Sequence, residues 1–177
     1  MYFPIVLNTN KEVLIIGAGN VSLRKTKKLL KFTDNIKVVS FDFHKEFDDL
    51  NIKKVKMEIN EFNFPSFLTD EISFVVLALN NKELNQKLCK ICKENKILVN
   101  LVDDKELSDI IFPAIIERDN LLVAISTKGE CPYYSKKLKE ELSEFMDRKD
   151  KEAKILINAR KKGEALEGTY EKIKRGL

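Results

Sequence analysis

The chain contains little cysteine and histidine and no long apolar run, and each shortage excludes a class of protein. Three cysteines, an odd number, do not make a disulfide framework, and the one histidine, His44, gives a zinc ion little to bind. No apolar run approaches the roughly 20 residues of a membrane-spanning helix, and the start, MYFPIVLNTNKEV, lacks the basic and apolar regions of a signal peptide. We therefore expect a cytoplasmic protein that does not bind a membrane.

The overall composition is that of a small globular protein. Of the 177 residues, 44% are apolar and 34% are charged, which excludes a disordered chain and a collagen-like repeat. A chain of this length can bury one good core and a small accessory unit.

Cys89 and Cys92 form a CxxC motif of the kind found in zinc sites. The apolar residues Leu84, Leu88, Ile91 and Cys92 fall at i, i+4, i+7 and i+8, which is the spacing of one buried helical face. Because the chain has no second CxxC motif, we predict that these cysteines belong to the core and not to a metal site.

The net charge of +4 comes from the C-terminal tail. From Asp147 onward there are ten basic and six acidic residues, whereas the basic and acidic residues before Asp147 balance. Such a tail is typical of a solvated helical face, a nucleic-acid patch or a lid over a polyanion. We expect the solvated face, the commonest of the three, and no nucleic-acid partner.

Apolar runs and amphipathic segments alternate through the first two thirds of the chain. EVLIIG, IKVVSF and KKVKMEI are typical of strands, and ISFVVLAL and ILVNLV are the apolar runs expected of strands buried on both faces. VSLRKTKKLLKF and NKELNQKLCKICKEN predict helices. This alternation predicts an α/β fold with a Rossmann-like, doubly wound parallel sheet.

A glycine turn, GAGNVS, follows the first predicted strand and opens the first predicted helix. Gly17 would permit the tight turn, Gly19 would let the backbone approach a pyrophosphate, and the helix N-terminus would supply free N–H groups. Ser22 stands at the third glycine position but is small enough for close helix–strand packing. After the second strand, which ends at Ser40, Asp42 is the candidate partner of a cofactor ribose. The turn favours a dinucleotide site; a plain tight turn is the alternative.

The pattern changes after the predicted sheet. Two apolar strands, residues 110–117 and 121–126, are joined by a turn at Asp119 and Asn120, and a helix begins near Pro132. A strand pair and one helix make a poor domain alone, so we predict a homodimer built through this segment.

The predicted organisation has three parts. A Rossmann domain covers residues 1–112, a dimerisation segment covers 113–146, and a C-terminal helical unit covers 147–177. The last unit is marked by apolar residues at helical spacing, namely Leu166, Tyr170, Ile173 and Leu177.

Three segments together resemble the precorrin-2 dehydrogenase/sirohydrochlorin ferrochelatase family, the NAD-dependent module of siroheme synthesis. They are FPIVLNTNKEVLIIGAGNVSLRK, ALNNKELN and VNLVDDKELSDIIFPAIIERDNLLVAISTKGECPYYSKKLKEEL, and the resemblance covers residues 1–146. The third segment is the most specific, because an Asn-x-Val-Asp element followed by FPAII-x-R is not a general Rossmann feature. The resemblance implies oxidation of precorrin-2 to sirohydrochlorin with NAD⁺ as hydride acceptor and, in several members, insertion of Fe²⁺ to give siroheme.

The resemblance also implies which residues bind the cofactor. In ALNN, where members commonly read Ala-Thr-Asp-Asp, this chain departs from the family pattern. The implied NAD contacts are Gly17, Gly19, Asn20, Val21, Phe41, Asp42 and Asn80.

The implied catalytic residue is Asp103, the aspartate of the Asn-x-Val-Asp element. Because the nicotinamide carries the hydride, one carboxylate that accepts a proton is the main chemical group the protein has to supply. Asp104 is the alternative, and it would otherwise cap a helix or a turn.

The implied tetrapyrrole contacts lie in the second half of the chain. Ser126, Thr127 and Lys128 occupy the serine-rich turn of the family, where members commonly read Ser-Ser-Gly-Gly. Arg118 and Lys128 are candidate contacts for the substrate carboxylates, and solvated surface charge is the alternative interpretation.

Two other functions remain open at this level. One is a dehydrogenase without chelatase activity. The other is a non-catalytic nucleotide-sensing Rossmann module, which would share the glycine turn but would not be expected to carry VNLVDD and IIFPAIIER.

Overall fold

The computed structural model describes residues 6–102 and 104–176, which form two compact units. The chain passes from the first unit to the second between Ile111 and Phe112. Among the described residues, no helix is long and apolar enough to cross a membrane.

The first unit is built on a five-stranded sheet in the order β3-β2-β1-β4-β5, and every neighbouring pair is parallel. This confirms the predicted Rossmann-like fold. The strands are β1 (Glu12–Ile16), β2 (Ile36–Ser40), β3 (Lys53–Lys56), β4 (Ile72–Leu77) and β5 (Leu98–Leu101), and the helices are α1 (Asn20–Leu29) and α2 (Lys82–Glu94). Short 3₁₀ turns lie at Lys45–Phe47 and Phe64–Phe67.

One hydrophobic cluster of the core lies between the sheet and α2, and the CxxC motif belongs to it. Cys89 and Cys92 are buried as free thiols beside Leu88. Burial raises the pKa of Cys92 to about 12, so its thiol stays protonated at neutral pH. The predicted core role of both cysteines is confirmed.

The outer edge of β5 is covered by the segment that follows it. Asp109 and Ile110 donate backbone N–H bonds to Val99 O at 2.8 and 3.2 Å, and the Ser108 hydroxyl accepts from Leu101 N at 2.9 Å. Two backbone N–H groups and one side chain thus pair with the edge that would otherwise stay open. The prediction that a strand begins at residue 110 is therefore wrong, because Ile110 pairs with β5.

The opposite end of the sheet, where the strands begin, holds a buried carboxylate. Glu12 accepts from Lys37 Nζ at 2.6 Å and from Lys53 Nζ at 2.8 Å, and 8% of its side chain is exposed. Burial raises the pKa of Glu12, but the hydrogen bonds and positive charges of Lys37 and Lys53 outweigh it and hold the pKa below the ordinary 4.5. One side chain therefore ties β1, β2 and β3 together.

Glu12→Ala should lower the free energy of unfolding by about 2 kcal/mol at neutral pH, because two lysines lose their partner. Since the pKa of Glu12 is lowered by folding, its stabilisation is present above pH 4.5 and is lost as the pH falls through the folded-state pKa. Urea denaturation at neutral pH and at a pH below the folded-state pKa of Glu12 measures this loss of stability. The exposed Glu58→Ala is the control, and an equal loss of stability in both variants would contradict the role of Glu12.

The second unit contains a two-stranded antiparallel sheet and two helices. Strands β6 (Ala114–Glu117) and β7 (Leu122–Ile125) are shorter than predicted but are joined by the predicted turn, in which Arg118 N donates to Leu121 O at 2.9 Å. Helix α3 (Pro132–Lys161) begins at the predicted proline, and α4 (Leu166–Lys174) follows it. Leu177 lies outside the described residues.

Helix α3 continues through residues 146 and 147, where a domain boundary is predicted. The predicted dimerisation segment and C-terminal unit therefore share one helix. The division into three domains stays a prediction.

Candidate cofactor site

The glycine turn between β1 and α1 is closed by backbone contacts. Gly17 has φ +99°, and a Cβ atom at this position would lie 2.6 Å from Ala78 O and 3.2 Å from Leu79 N. Both the backbone angle and the close approach require glycine. The first glycine of the motif thus lets the β4–α2 loop lie directly against the turn.

Gly19 has a different role at the N-terminus of α1. It is the N-cap residue, no side chain caps the helix, and the first turn carries no acidic residue. A Cβ atom on Gly19 would meet nothing within 4 Å, so the space beside it is open. The first-turn N–H groups of Asn20 and Val21 therefore fit an anionic group such as a pyrophosphate.

Ser22 occupies the position of the third glycine in the motif. Its side chain is completely buried, and the hydroxyl donates to Gly19 O at 2.9 Å. The small side chain keeps α1 close to the sheet, and its polar atom is satisfied within the helix.

The loop after β2 is placed beside the same turn. His44 N donates to Ala18 O at 2.9 Å, which ties the loop to the glycine turn. Phe41 is 67% exposed, and Asp42 is exposed while its carboxylate accepts from Phe43 N at 3.0 Å. These two side chains therefore lie at the surface next to the helix N-terminus.

Met57 lies beside Phe41 at the ends of neighbouring strands. Met57 N donates to Ser40 O at 3.0 Å, and Met57 is 41% exposed. The sequence did not single out this residue, since KKVKMEI predicted only an alternating strand. Exposed apolar side chains at this edge can cover a planar ring such as adenine.

The loop between β4 and α2 completes the arrangement. Ala78 N donates to Ile16 O at 2.9 Å, Asn80 is exposed, and Asn81 accepts from Leu84 N at 3.0 Å as the N-cap of α2. The predicted cofactor residues are thus brought together at the carboxyl edge of the sheet, at the switch point between β1 and β4 where ligands bind in such folds.

Asp103, the predicted catalytic residue, lies outside the described residues. Its neighbour Val102 donates its N–H to Leu77 O at 3.0 Å, so the chain leaves β5 beside the end of β4. The alternative, Asp104, accepts from Leu107 N at 3.1 Å and so caps the following turn.

The predicted tetrapyrrole contacts lie in the second unit. Ser126 Oγ accepts from Lys128 N at 3.0 Å, and Thr127 Oγ1 accepts from Cys131 N at 2.9 Å, just before α3 begins. Lys128 is exposed and has φ +57°, a conformation that favours glycine. This explains why a glycine suits the same position in the family pattern.

Arg118 is held by the hairpin and α3. Its guanidinium donates to the Asp147 carboxylate and to Ser143 Oγ, the latter at 2.8 Å. An anion at Arg118 would have to compete with Asp147, whereas Lys128 is exposed. In the described part of the chain, no group of three or more histidine, cysteine, aspartate or glutamate residues could hold a metal ion.

Several known proteins are similar to most of this chain. The chain is 37% identical over 149 residues to a siroheme synthase of Buchnera aphidicola and 34% identical over 146 residues to one of Baumannia cicadellinicola; these matches cover 84% and 82% of the chain. The chain spans 31% of the length of each of these relatives. The structure of SirC, a precorrin-2 dehydrogenase, is similar with a TM-score of 0.67 and 25% identity, covering 90% of this chain and 79% of SirC.

The family assignment comes from the region that contains the site. Residues 5–114 match a family described as "Putative NAD(P)-binding", and they include the glycine turn, both neighbouring loops and the end of β5. The chain therefore belongs to this NAD(P)-binding family.

Proposed function

We propose that the protein is an NAD-dependent dehydrogenase that oxidises precorrin-2 to sirohydrochlorin in siroheme synthesis. The observation that carries the proposal is the structural similarity to a precorrin-2 dehydrogenase over 90% of the chain, at a TM-score of 0.67. The siroheme synthases that match this chain at 34–37% identity support the same pathway. The chain's thiols are unpaired and the cofactor is an intracellular nucleotide, which fits the cytoplasm.

The glycine turn and the loops beside it would bind the cofactor. The N–H groups of Asn20 and Val21 would bind the pyrophosphate, Asp42 would accept from a ribose hydroxyl, and the exposed Phe41 would cover the adenine. When bound, NAD⁺ supplies the hydride acceptor. The residues of the protein hold and orient the two reactants.

Asp103 would accept the proton that leaves the substrate as the macrocycle gains conjugation. The oxidation releases a hydride and a proton, and the carboxylate of Asp103, which follows β5 in the sequence, would take the proton. The same carboxylate could accept pyrrole protons when Fe²⁺ enters sirohydrochlorin as a substrate. The basic Lys128, with Ser126 and Thr127, would contact the substrate carboxylates.

The direct test is incubation of the purified protein with precorrin-2 and NAD⁺, followed by addition of Fe²⁺. We expect NADH and sirohydrochlorin to form in equal amounts, followed by the siroheme spectrum if Fe²⁺ insertion also occurs. A protein that binds NAD⁺ but forms no NADH would instead be a nucleotide-sensing module. NADH formation without metal insertion would identify a dehydrogenase alone.

The cofactor preference should favour NAD⁺ over NADP⁺ by about ten- to hundredfold in dissociation constant, because Asp42 would repel a 2′-phosphate. No arginine lies between Ser40 and Lys45 to bind that phosphate. Calorimetric titration with both cofactors measures this. Asp42→Ala should reduce the preference, and the control Asp49→Ala should keep it. Equal affinities in the unmodified protein would contradict the role of Asp42.

The protein should form a homodimer through the second unit. Three of the four residues on the face of the β6–β7 hairpin opposite the buried Ile116 are apolar, namely Ile115, Leu122 and Ala124, and the fourth is Glu117; within the described residues this sheet has two strands only. An apolar face with open edges favours pairing with a second copy. Sedimentation should show dimers at micromolar concentration. Leu122→Glu should give monomers. The control is Phe62→Glu, at an exposed site in the first unit, which should remain dimeric. A monomeric unmodified protein would contradict the proposal.

A further inference from the structure

The buried side chain of Asn85 makes two hydrogen bonds to one residue of the β4–α2 loop. Its Oδ1 accepts from Leu79 N at 3.2 Å, and its Nδ2 donates to Leu79 O at 2.8 Å. Asn85 is the fourth residue of α2, at the end of its first turn, and is 5% exposed. Both ends of the amide are therefore committed to the loop.

Leu79 is the residue whose backbone lies against the glycine turn. Leu79 N is 3.2 Å from the position of a Cβ atom on Gly17, and Ala78 O is 2.6 Å from it. On the other side, Ala78 N is bonded to Ile16 O at 2.9 Å. A displacement of Leu79 would thus remove the wall on which the turn is packed.

We propose that Asn85 is the positioning residue of the cofactor site, which holds the Ala78–Leu79 peptide against Gly17 and thereby fixes the glycine turn. The inference rests on the proposed binding of NAD⁺. It assigns a function to a residue that belongs to neither the glycine turn nor the exposed loops. The helix does not require asparagine there, since an apolar residue would serve better on its buried face.

The position of the turn matters because its donors are backbone N–H groups. The N–H groups of the first turn of α1 cannot adjust to a ligand as a flexible side chain can. A shift of the turn therefore misdirects all of them together. The loop also carries the exposed Asn80, which directly follows Leu79.

The test is calorimetric titration of NAD⁺ into Asn85→Leu, which keeps the branched arrangement of four side-chain heavy atoms and removes both bonds. We expect the dissociation constant to rise roughly ten- to hundredfold in a folded protein. Asn95→Leu is the matched control, because Asn95 Nδ2 donates to Ile91 O at 2.9 Å near the end of the same helix, away from the turn. Its affinity for NAD⁺ should be unchanged.

Asn85→Asp provides a second variant with a readout that a purely structural residue would not give. At about pH 8 the ionised carboxylate still accepts from Leu79 N but repels Leu79 O, so NAD⁺ should bind weakly. At about pH 5, partial protonation restores the donor, and the affinity relative to the unmodified protein should recover. Hydrogen exchange at the Leu79 amide, which is bonded to Asn85 Oδ1, should be faster in Asn85→Leu, which loses this acceptor, than in Asn85→Asp, which keeps it.

The outcomes separate this inference from the proposed function. NAD⁺ affinity in folded Asn85→Leu equal to that of the unmodified protein would overturn the positioning role while leaving NAD⁺ binding intact. If Asn85→Leu does not fold, a pH-independent affinity of Asn85→Asp relative to the unmodified protein would overturn it. An unmodified protein that fails to bind NAD⁺ would overturn the proposed function as well.

Discussion

Asp103→Ala is expected to lower the rate of precorrin-2 dehydrogenation about 10²–10⁴-fold while the dissociation constant for NAD⁺ changes by less than about threefold. The reason is that its carboxylate would accept a proton and would not hold the cofactor. The chain immediately before it is bonded to the end of β4 through Val102 N and Leu77 O. Stopped-flow measurement of NADH formation and separate titration with NAD⁺ check both parts.

Asp104→Ala is the matched control at the next residue. Asp104 accepts from Leu107 N, so its loss should lower the free energy of unfolding by about 1 kcal/mol and leave the rate nearly unchanged. If metal insertion uses the same base, it should fall in Asp103→Ala but not in Asp104→Ala. If Asp103→Ala oxidises precorrin-2 at the rate of the unmodified protein, Asp103 is not the catalytic residue.

Gly19→Asp should abolish NAD⁺ binding, with an affinity loss of about a thousandfold or more, without unfolding the protein. The new carboxylate would stand where the pyrophosphate binds, and like charges in close contact cost several kcal/mol. Gly19 has an ordinary φ of −87° and open space beside it, and aspartate is a good N-cap, so the fold should keep or gain stability. Gly19→Asn is the neutral control that isolates the charge.

Gly17→Ala should instead destabilise the fold, whereas Gly19→Asp should affect only the binding of NAD⁺. Its φ of +99° and the backbone oxygen 2.6 Å from the new Cβ should lower the free energy of unfolding by about 2 kcal/mol or more. Thermal melting should detect the loss of stability in Gly17→Ala, and NAD⁺ titration should detect the loss of affinity in Gly19→Asp. Normal NAD⁺ binding in Gly19→Asp would show that the cofactor does not lie at the N-terminus of α1.

Features that depend on a few neighbouring residues could be predicted from the sequence. The buried strands, the two helices of the first unit and the glycine turn follow from apolar runs, helical spacing and the need for glycine at positive φ. The core role of Cys89 and Cys92 followed from the same helical spacing and is confirmed.

Features that depend on distant segments could not be predicted in this way. Ile110 reads as part of an apolar strand, but it pairs with the edge of β5 because Val99 O is available there. Asn85 reads as an ordinary polar residue on a helix, since its partner Leu79 becomes visible only when the loop folds back. Met57 reads as the end of a strand, and its exposure beside Phe41 follows from the register of β2 with β3.

The sequence by itself determined the fold class, the location of the cofactor turn and the family resemblance, because these depend on local periodicity and on residue types at short spacing. Only the tertiary structure decided that Gly17 is packed under the Ala78–Leu79 peptide and Gly19 faces open space, and that Asn85 and Asp104 hold backbone groups. The physical reason is that a side chain's function depends on its hydrogen-bond partners, and those partners are set by the register of strands and loops far apart in the chain.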